Sequence, residues 1–367
     1  MINVFGSCVG TEELINVQKS IETQWMGAGC FVKEFESKFS NWKNTTNFLM
    51  LDNASNGLFM ACRLLNLPAG SEIILPSFTC IACAQAIKMA NYVPVFCDVD
   101  KETQNIKAEF IIPYITSRTA ACMVVHYAGL PVDMEPIKEL GLKIIEDAAH
   151  AVDSKYKGQP CGTIGDIGVF SFDPVKNLAT CEGGGIILKD SELYVRANYM
   201  RLCGVGNPGH KNKSINMNQI WWEDHAEECF IKTYPNDISA GIALAQLEKL
   251  EYLQERRKKI WNYYTEFLSK IPVIKCPEEA HEDSRHSYFT YCIQTSERNE
   301  LAFYLYEKGI YSTLRFYPLH LNKLYKNGQQ LKNTEFLSKA ALNIPLHPAL
   351  SDSYVEYVVD HIRHFYK

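Results

Sequence analysis

No stretch of about 18 apolar residues occurs anywhere in this chain, so no segment reads as a membrane-spanning helix. Its first residues, Met1-Ile2-Asn3-Val4-Phe5-Gly6, also lack the charged segment and long apolar run of an export signal. Long runs of lysine or arginine are missing, and the net charge of −5 gives no broad attraction to nucleic acid or to an anionic membrane. No G-x-G-x-x-G follows an early strand, which argues against a nicotinamide enzyme. No helix-turn-helix with a basic recognition helix is present, which argues against a DNA-binding regulator. The thirteen cysteines show no paired C-x-x-C or Cys/His finger spacing. Cys80 and Cys83 form a single C-x-x-C without its other half, so no metal site is expected. Most of the others, such as Cys62, Cys97, Cys122 and Cys292, lie inside apolar segments, where reduced cysteine packs as a small core residue. A reducing cytoplasm is the expected location.

What is present is the pattern of an ordinary globular enzyme. The chain has 367 residues, 47% of them apolar and 22% charged, and this length predicts two domains. Short apolar runs at 48–51, 72–75, 93–99, 120–125, 143–145, 168–172 and 183–189 read as strands. Between and around them, 11–24, 32–42, 56–65, 80–90, 134–140 and 191–202 read as helices. Such alternation predicts an α/β fold with a mostly parallel, helix-covered sheet. The segment Gly204 to His225 reads as a long loop of functional type. Ile238 to Leu268 then reads as one long helix leading into a second domain, where 288–294 is expected as a strand and 301–308 and 354–365 as helices. The boundary falls near Leu250, giving a large domain over 1–250 and a small one over 251–367. The N-terminal segment is free to pack with the small domain. No internal repeat or low-complexity segment is found.

The chemistry concentrates at strand ends. One strand runs into Phe170-Ser171-Phe172-Asp173-Pro174-Val175-Lys176-Asn177. A lysine after a strand is by itself most often a solvated surface residue. Held at the mouth of a sheet with its stem desolvated, it becomes an amine able to form a Schiff base. Upstream, another strand ends in Glu146-Asp147-Ala148-Ala149-His150. Asp147 there supplies the carboxylate that the pyridinium nitrogen of pyridoxal phosphate requires. Asp52-Asn53-Ala54-Ser55-Asn56-Gly57 lies between a strand and a helix. Small residues and a helix N-terminus there suit a phosphate, although Asn53 or Ser55 could equally serve only as a helix cap.

These residues carry a family likeness. The chain resembles the DegT/DnrJ/EryC1/StrS family of pyridoxal-phosphate aminotransferases, most of which act on keto sugars. The specific blocks are Glu146-Asp147-Ala148-Ala149-His150 and Ser171-Phe172 with Lys176-Asn177. The likeness continues through Trp25-Met26-Gly27, Pro76-Ser77-Phe78-Thr79, Pro94-Val95-Phe96-Cys97-Asp98, Val125-His126-Tyr127-Ala128-Gly129, Gly162-Thr163-Ile164-Gly165-Asp166, Glu182-Gly183-Gly184 and Tyr317-Pro318-Leu319-His320.

The resemblance implies a fold type I enzyme: a large domain with a seven-stranded, mainly parallel sheet, and a smaller C-terminal α/β domain. It also implies a homodimer whose subunits share their active sites. Lys176 would carry the cofactor and shuttle a proton, and Asp147 would keep its ring nitrogen protonated. His150 would contact the ring's phenolic oxygen. Ala54, Ser55 and Ser171 would hold the phosphate, with Lys232 of one subunit reaching the other's phosphate. Arg315, Tyr317 and His320 would meet substrate. The chain departs from the family pattern at Cys80, where an aromatic residue usually stacks on the ring, and at Arg315, where many members carry histidine. The implied reaction moves an amino group from an amino acid, glutamate by analogy, to a keto sugar. The commonest acceptor in the family is a nucleotide-linked 4-keto-6-deoxyhexose for surface polysaccharide, while other members use 3-keto sugars, keto-inositols or an oxidised octulosonate. A related dehydratase branch replaces the Schiff-base lysine with histidine, and Lys176 argues against that reading.

Overall fold

The computed structural model describes residues 1–206 and 225–367. The expected loop 204–225 therefore lies almost wholly outside the described residues. Seven strands build the main sheet: β1 (Phe48–Leu51), β2 (Glu72–Pro76), β3 (Val93–Cys97), β4 (Thr119–Val125), β5 (Lys143–Asp147), β8 (Ile167–Ser171) and β9 (Gly184–Leu188). Between β5 and β8 the chain forms a two-residue hairpin, β6 (Lys155–Tyr156) with β7 (Gln159–Pro160). The strand order is β1-β9-β8-β5-β4-β2-β3. Only β9 runs against its neighbours, pairing antiparallel with β1 and β8. The sheet is therefore mostly parallel, and its central strands are buried on both faces.

Alternation along the strands assigns residues to the two faces. Leu49 and Leu51 point to one face with Ile73, Met123, Ile145 and Val169. There they meet α3 (Ala54–Leu64) and α4 (Ile81–Met89). α5 (Ala108–Ile111) and α6 (Met134–Lys138) lie in the connections around β4. Phe48 and Met50 point the other way. They pack with Phe35 and Phe39 from the flanking helix α2 (Cys30–Lys43), which α1 (Thr11–Glu22) precedes. After β9 come α7 (Ser191–Met200) and α8 (Asp237–Glu248), and α8 packs on both α1 and α2. All four cysteines expected in the core are buried.

The long helix expected over 238–268 is two helices. α8 ends at Glu248, and α9 (Leu250–Leu268) restarts after Lys249, whose φ of −101° and ψ of 8° turn the axis. No proline or glycine marks the break. Lys249 is held from outside, its Nζ 2.6 Å from Glu13 of α1. Beyond it, α10 (Arg298–Glu307), α11 (Lys332–Ala340) and α12 (Asp352–Phe365) surround the antiparallel pair β10 (Tyr291–Gln294) and β11 (Ala341–Ile344). β10 begins later than the expected 288 because Tyr288 has a φ of 48° and gives its N–H to His286 Nδ1. The core here joins Trp261, Tyr264, Leu301, Leu305, Val358 and Ile362, and it includes Ile2. The N-terminus pairs with this part of the chain: Ile2 bridges Ile310, and Leu346 donates its N–H to Val4 O at 3.1 Å. It then passes toward the Lys176 turn, where Ser7 Oγ donates to Pro174 O at 2.6 Å.

Candidate active site

The carboxyl ends of β4, β5 and β8, the start of α3 and the start of α4 converge on a cavity of about 220 Å³. In parallel sheets this is where ligands bind, because helix N-termini and loop residues gather there. Ala54, Ser55, Cys80, Asp147, His150, Ser171, Lys176 and Arg315 all line it.

Ala54 and Ser55 are the first residues of α3. Asn53 does cap the helix, its side chain accepting from Asn56 N at 2.8 Å. The N–H groups of Ala54 and Ser55 have no acceptor among the described residues. The cap and the anion site are therefore compatible: one donor is satisfied internally and the two at the tip face the cavity. Gly184 makes this possible. A Cβ there would lie 2.4 Å from Asn53 C and 2.5 Å from Ala54 N, so only glycine lets β9 pass beneath the turn.

Lys176 sits on a turn closed by Asp173, whose carbonyl accepts from Lys176 N at 2.9 Å and whose carboxylate accepts from Val175 N at 3.0 Å. Asn177 anchors the next residue through Nδ2 to Gln254 Oε1 at 2.9 Å. The Lys176 ammonium lies 4.8 Å from the Phe289 ring centroid. Burial and the nearby Arg315 guanidinium pull it down to about 8, against the opposing pull of Asp147 and Asp173. It is therefore far easier to deprotonate than a free lysine.

Asp147, the last residue of β5, is held on both oxygens. Oδ1 accepts from Ala149 N at 3.0 Å, and Oδ2 from the Cys83 thiol at 3.2 Å. Neighbouring Glu146 has a different task. It accepts from Gly162 N, Ile164 N and Gly165 N at 2.8, 2.7 and 2.6 Å, and it pairs with His126 Nε2 at 2.9 Å. Because His126 Nδ1 accepts from Val132 N, the ring is the neutral Nε2–H tautomer donating to Glu146. Glu146 thus fixes the loop before β8.

The His150 ring is stacked on Phe289, with centroids 4.0 Å apart and planes 15° apart. Burial, with the Lys176 and Arg315 charges, keeps it well below the usual histidine range, so it is neutral. Its Nδ1 is buried without a partner among the described residues. Cys80, at the N-terminal cap position of α4, lines the cavity.

Three expected residues are not brought to the cavity lining. Tyr317 is 58% exposed. His320 is 1% exposed and structural: its Nδ1 lies 2.7 Å from Ser77 Oγ and its Nε2 3.4 Å from Glu335. Both ring nitrogens are engaged, so His320 has nothing left to offer a substrate. Lys232 is exposed and outside its own subunit's cavity. Sequence reasoning missed Phe316, Thr79 and Cys83. The only sequence signal for Cys83 was its spacing from Cys80, three residues that bring a helix-cap position and the first turn to one side.

A site of this kind, with two open N–H donors at a helix tip, serine hydroxyls, a fixed carboxylate, a partnerless imidazole nitrogen and an easily deprotonated amine, fits a phosphorylated pyridine aldehyde. The model of the DegT/DnrJ/EryC1/StrS aminotransferase family matches residues 7–363. The chain belongs to this family. It is 33% identical to the dTDP-4-dehydro-2,3,6-trideoxy-D-glucose 4-aminotransferase of Saccharopolyspora spinosa, over 98% of this chain and 95% of that protein. Among solved structures, the aminotransferase TlmJ from Streptoalloteichus hindustanus superposes with a TM-score of 0.93 at 35% identity, covering 99% and 98% of the two chains. Spr1654 of Streptococcus pneumoniae in its PLP form gives a TM-score of 0.90 at 26% identity, covering 98% and 97%. The seven-stranded sheet is that of fold type I aminotransferases, and aminotransferases of the family use pyridoxal phosphate. No helix among the described residues is long and apolar enough to cross a membrane.

Proposed function

We propose that the protein binds pyridoxal 5′-phosphate and moves an amino group from L-glutamate to a nucleotide-linked 4-keto-6-deoxyhexose, a precursor of surface polysaccharide. The observation carrying this reading is that Lys176, Asp147 and the open tip of α3 line one cavity. The substrate named for the Saccharopolyspora relative supports the choice of acceptor.

The bound cofactor would supply an electron sink for the pair left when an amino acid loses its α-proton. The rest belongs to the chain. Ala54 and Ser55 N–H groups, with the Ser55 and Ser171 hydroxyls, would hold the phosphate. Asp147, clamped by Ala149 and Cys83, would present its carboxylate to the ring nitrogen. Lys176, close to half neutral at pH 8, takes a proton from the substrate carbon and returns one. Neutral His150 would have Nδ1 free for the cofactor without adding a charge that would oppose Lys176.

The working form in this reading is a homodimer. Leu14, Trp25 and Met26 on α1 and the turn after it are 67%, 57% and 60% exposed, large apolar groups that a second subunit would cover. Lys232, exposed and not among the residues lining its own cavity, would reach the partner's phosphate.

The test is direct. Purified protein should be yellow, borohydride should fix the cofactor on a peptide containing Lys176, and Lys176→Ala should fold but fail to transaminate. A label on any other lysine, or turnover retained in the variant, sinks the assignment.

A further inference from the structure

Among the described residues, Arg315 is a cation without a counterion. Its backbone is fixed, with N donating to Asn343 Oδ1 at 2.8 Å and O accepting from the Tyr127 hydroxyl. Its guanidinium makes no hydrogen bond or ion pair among the described residues. It lies instead against aromatic faces, 3.9 Å from the Phe5 centroid, 5.6 Å from Phe289 and 5.7 Å from Phe316. Phe5 and Phe289 are themselves stacked, with centroids 5.4 Å apart and planes 15° apart. Aromatic faces hold a guanidinium flat and shed its water while leaving its five N–H donors free. A half-buried arginine whose fork is unused, and which lines the cavity of Lys176, is a seat prepared for an anion.

The anion is identified by distance from the reacting carbon. The phosphate of the cofactor is already provided for at α3. A nucleotide sugar carries its phosphates several bonds from its keto carbon, and near that carbon it offers only hydroxyls. An amino acid carries a carboxylate bonded directly to the carbon that must approach Lys176. The cation sharing a cavity with Lys176 is therefore best matched to this carboxylate. We propose that Arg315 is the donor-specificity residue: it seats the α-carboxylate of the amino-acid donor, in a two-pronged contact, and has no comparable role toward the keto sugar. This rests on the aminotransferase reading above. It also explains why Phe5 matters, because the N-terminal segment, tied at Ile2 and Ser7, supplies one wall of the seat.

The experiment separates the donor from everything else at the site. Holoenzyme is mixed with L-glutamate, and loss of the cofactor's visible absorbance gives kcat/KM for the donor half-reaction. The same absorbance followed with hydroxylamine, which attacks the bound aldehyde but carries no carboxylate, reports whether the site is intact. Arg315→Met should lower the glutamate value about 100-fold, the size expected for removing one partner of a desolvated charge pair. Its hydroxylamine rate should stay within about threefold, at unchanged cofactor content. Arg315→Lys, which keeps the charge but not the fork, should recover part of the loss. Equal losses with both reagents, or glutamate unaffected in Arg315→Met, would overturn the proposal. A wild-type holoenzyme bleached by hydroxylamine but by no L-amino acid would sink the aminotransferase reading and the donor seat with it.

Discussion

The Cys83 thiol donates to Oδ2 of Asp147 at 3.2 Å, and Thr79 Oγ1 lies 3.4 Å from the same sulfur. Cys83 is fully buried, and burial together with the Asp147 charge pushes its thiol well above the ordinary cysteine range, so it remains a proton donor. We read it as a positioning residue for Asp147, the carboxylate that in the proposed function would meet the cofactor's ring nitrogen.

Replacing Cys83 with Ala removes one of two donors to Asp147. Turnover should fall about tenfold, in keeping with one lost hydrogen bond to a buried charged group. Cys83→Ser should retain most of it. A structural role alone would lower stability in both variants without altering the cofactor, so the deciding readout is the pH titration of the bound cofactor's absorbance. It should move in Cys83→Ala and not in Cys83→Ser. Wild-type turnover and an unmoved titration in Cys83→Ala would show that Ala149 suffices to hold Asp147.

The residues whose place in the fold was legible in advance are those where local chemistry and strand position coincide. Asp147 and Ser171 are the final residues of β5 and β8, and Ala54 and Ser55 open α3, so a strand followed by small polar residues was enough to place them. What escaped depends on contacts distant in sequence. β10 pairs with β11 through Tyr291 and Ile344, and no local pattern announces that register. Phe5 comes to lie against Arg315 because the N-terminal segment is tied down where Ile2 bridges Ile310. Cys83, on α4, was read only as part of an incomplete metal motif because its partner, Asp147, lies far along the chain at the end of β5. His320 misled in the opposite direction: a histidine in a family motif was expected to meet substrate, yet it bonds Ser77 and Glu335 to lock the C-terminal chain against the turn after β2.

A pH dependence follows from Lys176. Its amine is lowered from 10.5 to about 8, first by burial and then by Arg315. Cofactor capture needs the neutral amine, so the rate at which apoprotein regains visible absorbance from added pyridoxal phosphate should climb through a midpoint near 8. In Arg315→Met the midpoint should rise, since a neighbouring cation that disfavours the ammonium is gone. The stability sign is fixed by the same shift. The folded apoprotein binds fewer protons at this group than the unfolded chain between about 8 and 10.5, so the contribution of Lys176 to stability grows with pH across that window. A reconstitution midpoint near 10 in the wild type would mean that water reaches the amine freely.

The last expectation concerns assembly. Sedimentation of the active protein should give a dimer, with the exposed Leu14, Trp25 and Met26 covered. Lys232→Ala should weaken cofactor retention, because a charge-assisted contact to the phosphate from the second subunit is lost. If the sites are shared, mixing Lys176→Ala with Lys232→Ala and allowing subunits to exchange should restore activity. One site of each hybrid dimer then carries both defects, while the other takes its lysine at 176 from one chain and its lysine at 232 from the other. Random exchange makes half of all dimers hybrid, each with one intact site, so the mixture should recover about a quarter of wild-type turnover. A fully active monomer would remove the shared site altogether. A dimer that shows no recovery on mixing would leave the assembly standing and reject Lys232 as the group that crosses it.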